Sequence, residues 1–180
     1  MKLIKNIIFF GSFLFPSFLI AQSNNEELLD WSTTRKLTWN DYKASPDPES
    51  DAAASTTSYL GIEYNISSNS FSYKIQSRFS KTRSWGLYKT AYILSHEQGH
   101  FDIAEIFARK LNKKMSEYRF NKRNYQQELN KIYQDILDEK EKLQNDYDKE
   151  TNHSINKEKQ AEWLKKIKVL LDQYEDYSEY

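Results

Sequence analysis

Along residues 71–79 the side chains alternate: Phe71, Tyr73, Ile75, Ser77 and Phe79 fall on one parity, Ser72, Lys74, Gln76 and Arg78 on the other. A period of two is the signature of a half-buried β-strand. Residues 57–66, carrying Tyr59, Gly61 and Tyr64, read as a second strand. The intervening SSNS supplies turn chemistry, so the two segments predict a β-hairpin. From residue 87 onward the pattern changes. Gly99 is the sole glycine there and no proline occurs. Three helices fit, over 87–118, 122–147 and 157–174. The second carries Tyr125, Leu129, Ile132, Tyr133, Ile136 and Leu143 at helical spacing, and the third carries Trp163, Leu164, Ile167, Leu170, Leu171 and Tyr174 on one stripe. The charge of these last two helices reads as solvated faces with i,i+4 pairs, and no strict heptad is sustained. Upstream, residues 24–44 with Trp31, Leu37, Trp39 and Tyr42 form an extended or turn-rich lead-in, and 45–58, with Pro46 and Pro48, reads as a loop. The predicted class is α+β: an N-terminal β-hairpin or small antiparallel sheet packed on a long helix, followed by two further helices.

Composition narrows the setting. The chain opens with Lys2 and Lys5, continues in an apolar run from Ile7 to Ile20 broken by Gly11 and Pro16, and turns polar after Ala21. That layout is a secretory signal peptide over 1–21, too short and interrupted to read first as a membrane span. Residues 22–180 are then one domain, too short for two comfortable ones. Export to the periplasm or the extracellular space follows, with no stable membrane insertion after cleavage. The chain has no cysteine, so the fold has to manage there without disulfides. Without the first 21 residues, 24 basic face 26 acidic side chains, a formal net of −2. Nucleic acid, which selects a basic surface, is not an expected partner.

The chemistry lies in ILSHEQGHFDIAE, residues 93–105. His96-Glu97-Gln98-Gly99-His100 matches H-E-x-x-H, in which two histidines one helical turn apart bind zinc and the glutamate acts as general base. With about 100° per residue and His96 at zero, His100 falls near 40°, on the arc shared by Ile93, Ile103, Ala104, Phe107 and Leu111. Both imidazoles therefore point inward, where unliganded ring nitrogens would be costly. Zn²⁺ is the expected cofactor. Glu105 sits near 180° and Asp102 near 240°, on the far face. Glu105 there is expected to pair with Arg109 at the surface, and Asp102 would reach the metal only through another residue, if the helix bends.

The third ligand must come from elsewhere. His153, in the polar break NDYDKETNHSIN between the second and third helices, is the expected one. An antiparallel second helix starting near residue 122 draws level with His100 by about 137–140, at 1.5 Å per residue, and a loop folding back would bring His153 over the metal. Glu117, Glu128 and Asp148 are the carboxylates that would serve in its stead. Glu97 is the expected catalytic base, and Tyr147, six residues before His153, is a candidate oxyanion stabiliser whose other reading is a core aromatic. The 71–79 strand either lies along the cleft and pairs with an extended peptide or protein substrate, or is an ordinary hairpin strand.

The segments WSTTRKLTWNDYK, LSHEQGHFDIAE and YDKETNHS, with Gln160 and Trp163 downstream, resemble a bacterial domain-of-unknown-function family described as secreted zinc-dependent proteases. The similarity spans most of the chain after residue 21. It implies a zincin-like fold, and His153, in the family's T-x-H segment, as third ligand. The expected function is a secreted zinc metallopeptidase. The same parts would serve an amidase acting on a cell-wall amide, and the chain could instead be a non-catalytic zinc-containing envelope scaffold.

Overall fold

A computed structural model describes residues 26–67 and 71–180. The expected signal peptide over 1–21, and most of the expected hairpin turn, lie outside these residues. The fold is α+β, with two small antiparallel sheets and three helices. In chain order the strands are β1 (Leu28–Asp30), β2 (Ala54–Ser55), β3 (Ser58–Ile66), β4 (Phe71–Ser80) and β5 (Trp85–Gly86), and the helices α1 (Ala91–Glu117), α2 (Tyr125–Thr151) and α3 (Lys157–Gln173). Single turns of 3₁₀ helix occupy Trp39–Asp41 and Glu175–Tyr177. No helix among the described residues is long and apolar enough to cross a membrane.

The alternation in β4 is realised: Ile75, Ser77 and Phe79 are buried. β3 and β4 pair antiparallel with Ile62 opposite Ile75. The lead-in adds β1 to the other side of β4, with Leu29 opposite Phe79. β4 is thus the central strand, paired with β3 along its length and with β1 over Arg78–Ser80, and none of its residues lines the cavity beside His96 and His100, where the strand was expected to lie. The loop over 45–58 is also more ordered than its prolines imply, because Ala54 and Ser55 pair with Gly86 and Trp85.

The first helix starts at Ala91 rather than 87. Thr90 takes the N-cap, its hydroxyl accepting from the Ile93 amide at 3.1 Å, while Leu87 and Tyr88 instead bond the Ala53 carbonyl. α1 is the axis of the molecule, and its seven consecutive residues 103–109 are all buried. On one side Ile103, Phe107 and Leu111 join Leu60, Ile75, Ile136 and Trp163 in the main core. On the other, Phe101 and Ala104 meet Leu37, Tyr42 and Phe79.

The far face of α1 is therefore not the surface that its charges suggest. The indole N–H of Trp31 donates to Asp102 at 2.7 Å, as does the Gln98 amide, and Gln98 in turn accepts from the Leu37 amide. Glu105 and Arg109 pair as expected, at 2.9 Å, but at 2 % and 1 % exposure. Tyr180 donates to Glu105 at 2.6 Å, and Arg109 donates to the Leu171 carbonyl and to Glu175. A buried ion pair survives because every charge in it finds a partner.

Candidate metal centre

The two motif histidines do share the inner face of α1. His96 is 3 % exposed and its Nε2 lies 3.2 Å from Nε2 of His100. What faces them is α2. The second helix begins at Tyr125, three residues later than its pattern implied, so 18 residues of rise bring it level with His100 at about residue 143. Gln144 and Asp148, one turn apart, are the residues that arrive.

Gln144 holds His100 at both ends. Its amide nitrogen donates to the His100 carbonyl at 2.9 Å, which leaves its oxygen to accept from Nδ1 of the ring at 2.5 Å. Nδ1 therefore carries a proton, and Nε2 is the nitrogen turned to the cavity. Asp148 Oδ1 sits 3.1 Å from Nε2 of His96 and 3.0 Å from Nε2 of His100. Burial opposes ionisation of Asp148, but the hydrogen bonds and charge of His100 and His96 outweigh it and hold the carboxyl far below the usual range. Burial likewise disfavours the His100 imidazolium, and Asp148, with Glu97 and Gln144, overrides it to raise that pKa.

Two imidazole nitrogens and one carboxylate oxygen thus form a triangle with sides of 3.0, 3.1 and 3.2 Å. Bonds of roughly 2.0 Å to a tetrahedral ion separate its ligands by about 3.3 Å, so the three could hold such a metal with little movement. Nδ1 of His96 and Oε2 of Glu97 are buried without a hydrogen-bond partner. Glu97 itself is 4 % exposed. Thr56 donates weakly to the Glu97 carbonyl and pairs with the Tyr42 hydroxyl at 2.9 Å, and burial together with the Glu97 carboxylate pushes the Tyr42 phenol up.

His153 is close but not one of the three. Its side chain is 67 % exposed at the cavity mouth, with Nδ1 3.7 Å from Asp148 Oδ1. Asp148, a reserve carboxylate on sequence grounds, stands where His153 was expected. Glu117 and Glu128 do not line the cavity. The turn carrying His153 is unusual: Asn152, His153 and Ser154 have φ of 49°, 50° and 72°. Three consecutive left-handed residues cost roughly 1–2 kcal/mol each. The turn is pinned by the His153 amide to the Asp148 carbonyl, by Asn156 to Thr151, and by the Tyr92 hydroxyl donating to the Ser154 carbonyl at 2.7 Å.

Tyr147 is not available as an oxyanion donor. It is fully buried, its ring stacks on His96, and its hydroxyl donates to the His96 carbonyl at 3.2 Å. A Cβ on Gly99 would come within 2.5 Å of that hydroxyl, so the glycine inside the motif is what lets Tyr147 approach the helix. The cavity beyond the triangle measures about 600 Å³ and is walled opposite the histidines by the small residues of 52–58. Lys140, Gln144 and Asp148 line it from one face of α2. The role of Gln144 and the position of Lys140 went unread in the sequence, although i, i+4 and i+8 spacing from Asp148 is the signal that finds them.

A family model described as a bacterial protein of unknown function, DUF922, matches residues 20–154, three quarters of the chain, and this span includes every residue of the triangle, Glu97 and His153. No curated protein and no solved structure matches the chain.

Proposed function

Since the chain belongs to the bacterial family of unknown function DUF922, we propose its activity from the site itself: a zinc-dependent hydrolase of zincin-like design that cleaves peptide bonds after export from the cytoplasm. The observation that carries this reading is the triangle of His96, His100 and Asp148 beside a buried glutamate whose Oε2 has no partner. Two nitrogens and one oxygen are a common donor set for catalytic zinc, with the fourth position left open. Bound there, zinc would polarise a scissile carbonyl and lower the pKa of a water.

The protein's own groups supply the rest. Glu97 takes the proton of the attacking water and returns it to the leaving amine, and its burial keeps bulk water from competing for it. Gln144 orients His100 with the cavity-facing nitrogen free to bind. Asp148, rather than His153, completes the set of three, since a fourth protein ligand would close the site. His153 then faces the substrate from the mouth as a hydrogen-bond donor to the developing oxyanion. The extended wall over 52–58 and the cavity of about 600 Å³ suit a segment of peptide.

The test is zinc content and peptide hydrolysis measured side by side for the full chain and its Glu97→Gln variant. Retention of zinc with loss of turnover is the expected result. Equal turnover in the two, or no zinc in either, overturns the proposal.

A further inference from the structure

Lys140 is the only lysine or arginine among the described residues lining the cavity, which otherwise carries the acids Asp47, Glu97 and Asp148. It is half-buried and makes no ion pair with any of the described residues. Neighbouring lysines on the same helix do: Lys131 with Asp135 and Lys142 with Asp146. Burial lowers its pKa, with only the adjacent Glu141 working the other way. A cation held partly out of water beside an open cavity, with no ion-pair partner among the described residues, leaves room for one more negative charge.

Its place in the helix sets where that charge would sit. Lys140 lies one turn before Gln144 and two before Asp148, so the three share a face of α2. Eight residues correspond to about 12 Å along the helix. That distance is covered by three to four residues of extended chain. A group met by Lys140 at that spacing would lie along a bound substrate, away from the side chains of His96, His100 and Asp148.

We propose that Lys140 is a specificity-determining residue that receives a substrate carboxylate three to four residues from the scissile bond, so that the preferred substrates are acidic peptides. This rests on the hydrolase reading above. The carboxylate has two possible sources, an aspartate or glutamate side chain or a free C-terminus. Because Lys140 touches none of the three metal-binding side chains, replacing it leaves the metal in place.

The experiment uses zinc-loaded full chain and four sets of synthetic peptides, with Glu or Gln at the varied positions and free or amidated C-termini, the products being read by mass spectrometry. Wild-type protein is expected to cleave carboxylate-bearing sets about tenfold faster than their neutral counterparts. Lys140→Gln abolishes that preference, Lys140→Arg retains it, and Lys140→Glu reverses it in favour of the neutral sets, all at unchanged zinc content. The Glu sets and the free-terminus sets separate the two sources. Equal cleavage of all four sets by wild-type protein overturns this inference and leaves the hydrolase standing. Zinc-loaded protein that cleaves none of them overturns both.

Discussion

Tyr147 and His96 touch twice. Their rings stack with centroids 4.5 Å apart, and the tyrosine hydroxyl bonds the backbone carbonyl of the same histidine. The ring plane of His96 is thus set by a residue 51 positions later, through a gap that only Gly99 leaves open.

Gly99→Ala should reverse its usual sign. In an exposed helix interior alanine is more favourable than glycine by about 1 kcal/mol. Here the methyl group meets Tyr147, and overpacking of this kind costs roughly 1–3 kcal/mol. Urea unfolding is expected to show net destabilisation, and Gly99→Ala with Tyr147→Phe should cost less than the sum of the two single changes.

Asp148 and His153 should separate cleanly in zinc titrations. Asp148→Ala is expected to weaken binding by more than the roughly 10–100-fold that an orienting partner contributes. His153→Ala should leave the affinity near wild type and lower kcat by about 10²-fold. A larger zinc loss in the His153 variant would reverse the assignment of the third ligand.

The Glu105–Arg109 pair gives a stability test remote from the cavity. Arg109→Met strands a buried carboxyl, and breaking one half of such a pair costs about 3–5 kcal/mol. Glu105→Leu combined with Arg109→Met should regain much of this, as measured by denaturant midpoint at pH 7.

Asp41 predicts an acid limb. Burial alone would raise its carboxyl, but Arg35 and the amide and hydroxyl of Thr38 more than offset it and lower the pKa from its ordinary 3.8. A depressed folded value stabilises the fold above the unfolded pKa, and that contribution is lost as pH falls through the folded one. Asp41→Asn should therefore cost about 1–3 kcal/mol at neutral pH. Unfolding followed below pH 3.8 should show the difference shrinking toward zero.

The period of each segment was enough to read the three helices, the β3–β4 pairing and the inward aim of His96 and His100, because these depend on residues close in sequence. β1, β2 and β5 were missed for the opposite reason. Each is two or three residues long and exists only through a distant partner. Glu105 and Arg109 looked solvated because burial there comes from Trp31 and Tyr180, brought in from both ends of the described chain. Which residue faces the histidine pair turned on where α2 begins. Three residues of delay shift the helix by about 4.5 Å, close to one turn, which is the difference between a loop histidine and a helical aspartate reaching the pair.

A rod walled in on all sides, as α1 is from residue 103 to 109, cannot roll or slide without disturbing two interiors at once. The bearing of its two imidazoles is consequently a property of the whole molecule, and damage at Trp31 or Tyr180, on the opposite flank, should register as a blunted chemical centre before it registers as unfolding.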